Sequence, residues 1–107
     1  MRRSFFLSMP VGLILLLAGS EAFGAGASVR IANFTFDPPV LTVPVGSTVT
    51  WTNDDDIVHV LKENGDKFHS GALDTGDSFS QTFTVPGTID YFCAIHPRMT
   101  GQIVVVP

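Results

Sequence analysis

The chain is poor in several things a small stable domain can use. It has one cysteine in 107 residues, so no internal disulfide can form. Lysine and arginine together number six. Counting from Ala25, four cations (Arg30, Lys62, Lys67, Arg98) face nine acids, a net charge of −5. That argues against nucleic acid, which needs a basic surface. Past the first two dozen residues there are no repeats, low-complexity tracts, long linkers or windows of helical period.

The one apolar run of length lies at the start. Met1-Arg2-Arg3 is basic, Phe5 to Leu17 is apolar apart from Ser8, Pro10 and Gly12, and small residues follow. This is the pattern of a secretory signal peptide. It is shorter and more broken than the ~20 apolar residues of a membrane span. The reading is a signal peptide over 1–24, with cleavage possible as late as 27, and one domain over 25–107. No stable membrane insertion is expected after processing, and the expected location is the periplasm. Arg2-Arg3-Ser4-Phe5-Phe6-Leu7 keeps both the general secretory and the twin-arginine routes open.

About 80 residues remain, a size at which the buried fraction is limited and stability marginal. Short runs rich in Val, Ile, Thr and Phe alternate with Gly, Pro, Asn and Asp, the signature of an antiparallel β protein. Candidate strands are 28–33, 40–43, 48–53, 59–63, 78–85, 89–93 and 101–106. They predict an all-β Greek-key sandwich or barrel of about seven to eight strands. Val49 and Trp51 share one face and Thr48, Thr50 and Thr52 the other, so Trp51 is the expected central core aromatic. Phe34 and Phe36 are expected to pack, with room for one of them near the site described next. Asn64-Gly65-Asp66 reads as a hairpin turn.

Chemistry is concentrated in Tyr91-Phe92-Cys93-Ala94-Ile95-His96-Pro97-Arg98-Met99. Taken singly, a lone Cys is a small buried hydrophobe, a Met near a C-terminus is core filler, and His59 among Ile57, Val58, Val60 and Leu61 is a strand histidine. Together, thiolate, imidazole and thioether on one loop, with a second imidazole from His59, form the two-His, one-Cys, axial-Met set of a blue-copper centre. Copper ligation also explains an unpaired thiol in an exported protein. Cys93 is expected as thiolate ligand, His59 as the buried imidazole, His96 as the imidazole whose edge reaches solvent, and Met99 as the weak axial donor. His69 is read as a surface loop residue.

On these residues the chain resembles a small cupredoxin, and its ligand loop is most similar to the amicyanin type. In that type two residues separate Cys from His and two more separate His from Met. The resemblance runs from about Val29 to Val106. It includes Phe34-Thr35-Phe36-Asp37-Pro38, Val45 to Asn53 and Pro86 to Cys93, with His59 eight residues after Trp51. It implies that Asn53 ties the ligand-bearing loops together and points its backbone N–H at the Cys93 sulfur. The family usually has Ser or Thr after the Cys, as a partner for that Asn. Ala94 lacks the hydroxyl, which leaves backbone near His59 or Met99 as alternative partners for Asn53. Where the family commonly has Pro, Ile95 restores an N–H, a candidate second donor to the sulfur. Pro97 and Arg98 beside His96 are the expected partner-docking residues.

The leading functional expectation is a monomeric, non-enzymatic periplasmic electron carrier holding one copper ion. By analogy its partners are a periplasmic dehydrogenase and a c-type cytochrome. Copper binding and trafficking without a redox relay is the alternative. A Cys/His nucleophile–base pair and a zinc site are weaker readings, because neither uses Met99. A copper oxidase needs His-x-His pairs and a binuclear copper site a second Cys, and both are absent from a chain with three histidines.

Overall fold

The structure is a computed structural model and describes residues 26–107; the expected signal peptide lies outside them. Nine strands run β1 (Gly26–Ala32), β2 (Thr35–Asp37), β3 (Val40–Pro44), β4 (Thr48–Asn53), β5 (His59–Glu63), β6 (His69–Leu73), β7 (Ser78–Thr82), β8 (Gly87–Cys93) and β9 (Thr100–Val106). They form a five-stranded sheet, β3-β9-β8-β5-β6, and a four-stranded sheet, β2-β1-β4-β7. The described residues contain no α-helix, and no helix among them is long and apolar enough to cross a membrane.

The all-β sandwich is as expected, but the strand number exceeds the seven to eight inferred. The two unforeseen strands, β2 and β6, are both sheet edges. An edge strand has one partner and carries a weaker apolar signal. β2 has three residues, and β6 contains Gly71 at φ 74°. His69 is exposed as expected, yet it begins β6 and is no loop residue. Pairing is not purely antiparallel either: β1 runs parallel to β4, and β3 parallel to β9.

Local patterning explains the layers. Val49, Trp51, Val29, Ile31, Ile103 and Val105 point inward and are buried. The outward face of β4 meets edge strand β7 through a ladder of hydroxyls: Thr48–Thr82 at 2.7 Å, Thr50–Ser80 at 2.7 Å and Thr52–Ser78 at 3.0 Å. Such cross-strand pairs hold the outer face of an edge strand whose inner face packs Phe79 on Trp51. The Asn64-Gly65-Asp66 turn is present: Asp66 N–H donates to Glu63 O (2.8 Å), and the buried Glu63 carboxylate accepts the Lys67 N–H (2.6 Å).

Trp51 sits at the centre of the interior. The rings of Phe68, Phe79, Phe83 and Tyr91 surround it at centroid distances of 5.4–6.4 Å. Burial pushes the Tyr91 phenol up to about 12. The Trp51 indole lies close enough to favour the phenolate weakly, yet neither its N–H nor the Tyr91 hydroxyl reaches hydrogen-bonding geometry. Gly101 on β9 lies directly against this ring. A Cβ there would stand 2.5 Å from Tyr91 Cζ and its hydroxyl oxygen. Gly101→Ala is therefore expected to destabilise the apo-protein by about 1–3 kcal/mol through overpacking, as read by urea unfolding; a change within error would show that Tyr91 has room to move.

Candidate metal centre

The ligand loop is built from consecutive hydrogen-bonded turns. His96 N–H donates to Cys93 O (3.1 Å), Met99 N–H to His96 O (2.9 Å), and Cys93 N–H closes the circuit on Met99 O (3.0 Å). The spacing of three thus has a structural cause. Each chemistry-bearing residue stands where one turn ends, and the last is bonded back to the first. Met99 is buried with the core, while Ala94, Ile95, Pro97 and Arg98 are exposed.

His59 arrives from the start of β5. That strand pairs with β8 so that Leu61 lies opposite Cys93. The register places His59 Nδ1 3.5 Å and His96 Nδ1 3.8 Å from Cys93 Sγ. The ligand atoms of all three residues lie within 4.8 Å of one another. A metal bonded at ~2.1 Å to nitrogen and ~2.3 Å to sulfur, with ligands spread trigonally, separates S from N by about 3.8 Å. The observed spacings match that value, so the donor set fits a metal ion. His59 is fully buried and His96 half-buried, as expected.

Sequence reasoning missed the group that orients His59. Asp55 Oδ2 lies 2.8 Å from His59 Nε2, which directs the Nδ1 lone pair to the site. The same carboxylate accepts the N–H groups of Asn33 (2.7 Å) and Phe34 (2.9 Å), both in left-handed backbone at φ 53° and 57°. That strained turn sets the half-exposed Phe34 ring edge-on to both imidazoles, 5.7 Å from His59 and 5.0 Å from His96. Phe36, by contrast, is core. Burial pushes the Asp55 carboxyl up, but the Phe34 N–H, the His59 ring and the Asn33 N–H outweigh it and hold it below the usual carboxylate value. In the sequence Asp55 is one of three consecutive Asp in a turn, and nothing local distinguishes it.

Two expected donors to the sulfur are corrected. The Asn53 N–H donates to Asp77 O (2.9 Å), because Asn53 ends β4 in the other sheet. Ile95 is exposed on the loop, and its N–H makes no hydrogen bond to the sulfur. The backbone donor is Val60, 3.5 Å from Sγ. Asn53 remains a tie of a different kind. Its Nδ2 donates to Ile57 O (2.9 Å) and Leu73 O (2.8 Å), and its Oδ1 accepts the Asp55 N–H (2.9 Å). It therefore holds the turn before His59 to β6 without needing a hydroxyl at Ala94.

Residues 25–106 match the family of copper binding proteins described as plastocyanin/azurin. Amicyanin-alpha of Methylorubrum extorquens is similar at 38% identity over 100 residues, covering 84% of this chain and 80% of that protein. Amicyanin of Paracoccus denitrificans is 37% identical over 93 residues, covering 82% and 71%. Among solved structures, a purple cupredoxin from Nitrosopumilus maritimus superposes with a TM-score of 0.70 at 36% identity, over 74% of this chain and 98% of that one. A copper-containing nitrite reductase (NirK) from Thermus scotoductus superposes at 0.72 and 33% identity, over 77% of this chain but 22% of its own.

Asp55→Ala leaves two backbone N–H groups and an imidazole without their acceptor, so the apo-protein is expected to lose about 1–3 kcal/mol at neutral pH. Because the folded pKa is lowered, this contribution is complete above the unfolded value of about 3.9. It disappears as pH falls through the folded value. Urea unfolding of wild type and Asp55→Ala across a pH series should show the two converging in acid; a gap that stays constant down to low pH rules out the carboxylate as its source.

Proposed function

The chain belongs to the plastocyanin/azurin family of copper binding proteins, and we propose that it is an exported, non-enzymatic electron carrier. Copper is its cofactor. Cys93, His59, His96 and Met99 would hold the ion. Bound copper supplies a one-electron Cu(II)/Cu(I) couple.

The observation that carries the reading is the asymmetry of the two histidines around one thiol. His59 is buried and oriented by a carboxylate, whereas His96 is half-buried on a loop. One imidazole anchors the site and the other offers an edge to a partner. The hydrogen-bonded turns, the Asp55 bonds and the packed Phe34 ring keep the donor atoms in one arrangement. Fixed donors suit a relay that must change charge with little rearrangement. The partners are redox proteins; a periplasmic dehydrogenase as donor and a c-type cytochrome as acceptor are the pair implied by likeness to the amicyanin type.

Docking falls to the surface around His96. Phe34 and Ile95 are exposed apolar residues there. Arg98 stands on the same loop and has no ion-pair partner among the described residues. A guanidinium beside the port of an acidic protein favours an acidic partner surface, which would steer encounter and be screened by salt.

Two experiments test the reading. Cu(II) added to the processed protein should produce an intense visible thiolate-to-copper band. Cys93→Ser should abolish it, whereas Met99→Leu should keep the colour and raise the potential. A band that survives Cys93→Ser, or a wild type that binds copper without one, defeats the blue-copper assignment. For docking, Arg98→Ala should slow electron transfer to the partner at low ionic strength and flatten its salt dependence. Wild-type rates across a salt series would make Arg98 an ordinary surface residue.

A further inference from the structure

The pairing of β5 with β6 is interrupted beside the metal centre. Val60 pairs with Ala72 and Lys62 with His69, so Leu61 faces two residues, Ser70 and Gly71. This is a β-bulge, and Gly71 adopts φ 74°, a conformation suited to glycine. The interruption takes a rung out of the ladder. Leu61 N–H donates instead to Ser70 Oγ at 2.8 Å, and the Ser70 hydroxyl donates onward to Gly71 O at 2.6 Å. One hydroxyl replaces the missing rung.

Neighbouring residues of a strand present their N–H groups to opposite edges. Leu61 N–H faces β6; the Val60 N–H faces β8. There the Val60 carbonyl accepts the Ala94 N–H (2.8 Å), and the Val60 N–H meets Cys93 Sγ (3.5 Å). β8 ends at Cys93, so sulfur occupies the place of the next carbonyl. The two N–H groups are one residue apart on a single strand. A rotation of β5 that frees one must re-aim the other.

We propose that Ser70 is a positioning residue for the metal centre: by holding Leu61 from the β6 side, it sets the angle at which the Val60 N–H addresses the Cys93 sulfur. This rests on the copper reading. Hydrogen bonding around the Cys sulfur is one of the controls on the potential of such a site. A donor to the thiolate withdraws charge from it, which disfavours Cu(II) relative to Cu(I). Ser70's side-chain hydrogen bonds go to Leu61 and Gly71 and to no proposed ligand, so it acts through one strand.

The test uses copper-loaded processed protein carrying Ser70→Ala or Ser70→Thr. Each is read by reduction potential and by the Cu–S resonance Raman bands in H2O and after amide exchange in D2O. Ser70→Ala is expected to lower the potential, raise the Cu–S stretching frequency and reduce its deuterium shift. Ser70→Thr, which keeps the hydroxyl, should return all three toward wild type. A Ser70→Ala protein that is less stable but has wild-type potential and Raman bands overturns the proposal and leaves the copper reading intact. A wild type without a copper–thiolate band overturns the copper reading itself. If Ser70→Ala does not fold, Ser70→Cys, whose thiol is a weaker acceptor of similar size, is examined by NMR in the Cu(I) state. The proposal expects the Val60 amide proton and the potential to move with the Leu61 amide proton; a shift at Leu61 alone overturns it.

Discussion

The register between β5 and β8 is the constraint on which the centre depends. Three pairs define it: Leu61 with Cys93, Lys62 with Phe92 and Glu63 with Tyr91. Side chains alternate between faces, so a slip of one residue would turn either Cys93 or His59 out of the interior. The aromatic interior guards against that slip. Tyr91, two residues before Cys93, is fixed between Trp51, Phe36 and the backbone of Gly101. The packing that stabilises a small domain is thus the same packing that brings residues 59 and 93 together.

Around that register, polar groups that would be costly to bury are paired with one another. Asp55, Asn53 and His59 are all buried, and each is bonded within the same short segment or to the turn before β2. A satisfied polar network of this kind specifies one arrangement, since any movement leaves a buried group without a partner. Here it ties three pieces of chain from both sheets to one imidazole. The left-handed pair Asn33–Phe34 is part of that arrangement: its backbone cost is offset by two hydrogen bonds to a charged acceptor.

What could be read in the sequence follows from how local each feature is. Cys93, His96 and Met99 are legible because their spacing is that of consecutive turns. Trp51 and the strands around it are legible because alternation is strong where a strand has two neighbours. β2 has only three residues, and β6 is broken by its bulge, so neither shows a sustained alternation. Asp55, Val60 and Ser70 could not be singled out. Asp55 is one of three identical neighbours, and Val60 acts through its backbone. Ser70 matters only because β6 pairs with β5. Likeness points to Asn53 as the sulfur's donor, whereas the pairing of β5 with β8 gives that place to the residue after His59.

The parallel pairing of β3 with β9 also governs when this protein can exist as a folded object. β9 lies between β3 and β8, so the larger sheet is split until the last strand is in place. Val40 must wait for Gln102 and Val43 for Val105, across about three quarters of the described chain. Closing so long a loop costs entropy before any contact repays it. During synthesis β3 emerges long before β9. The larger sheet is therefore complete only once residues 100–106 are available, whereas the smaller sheet, β2-β1-β4-β7, draws on none of them.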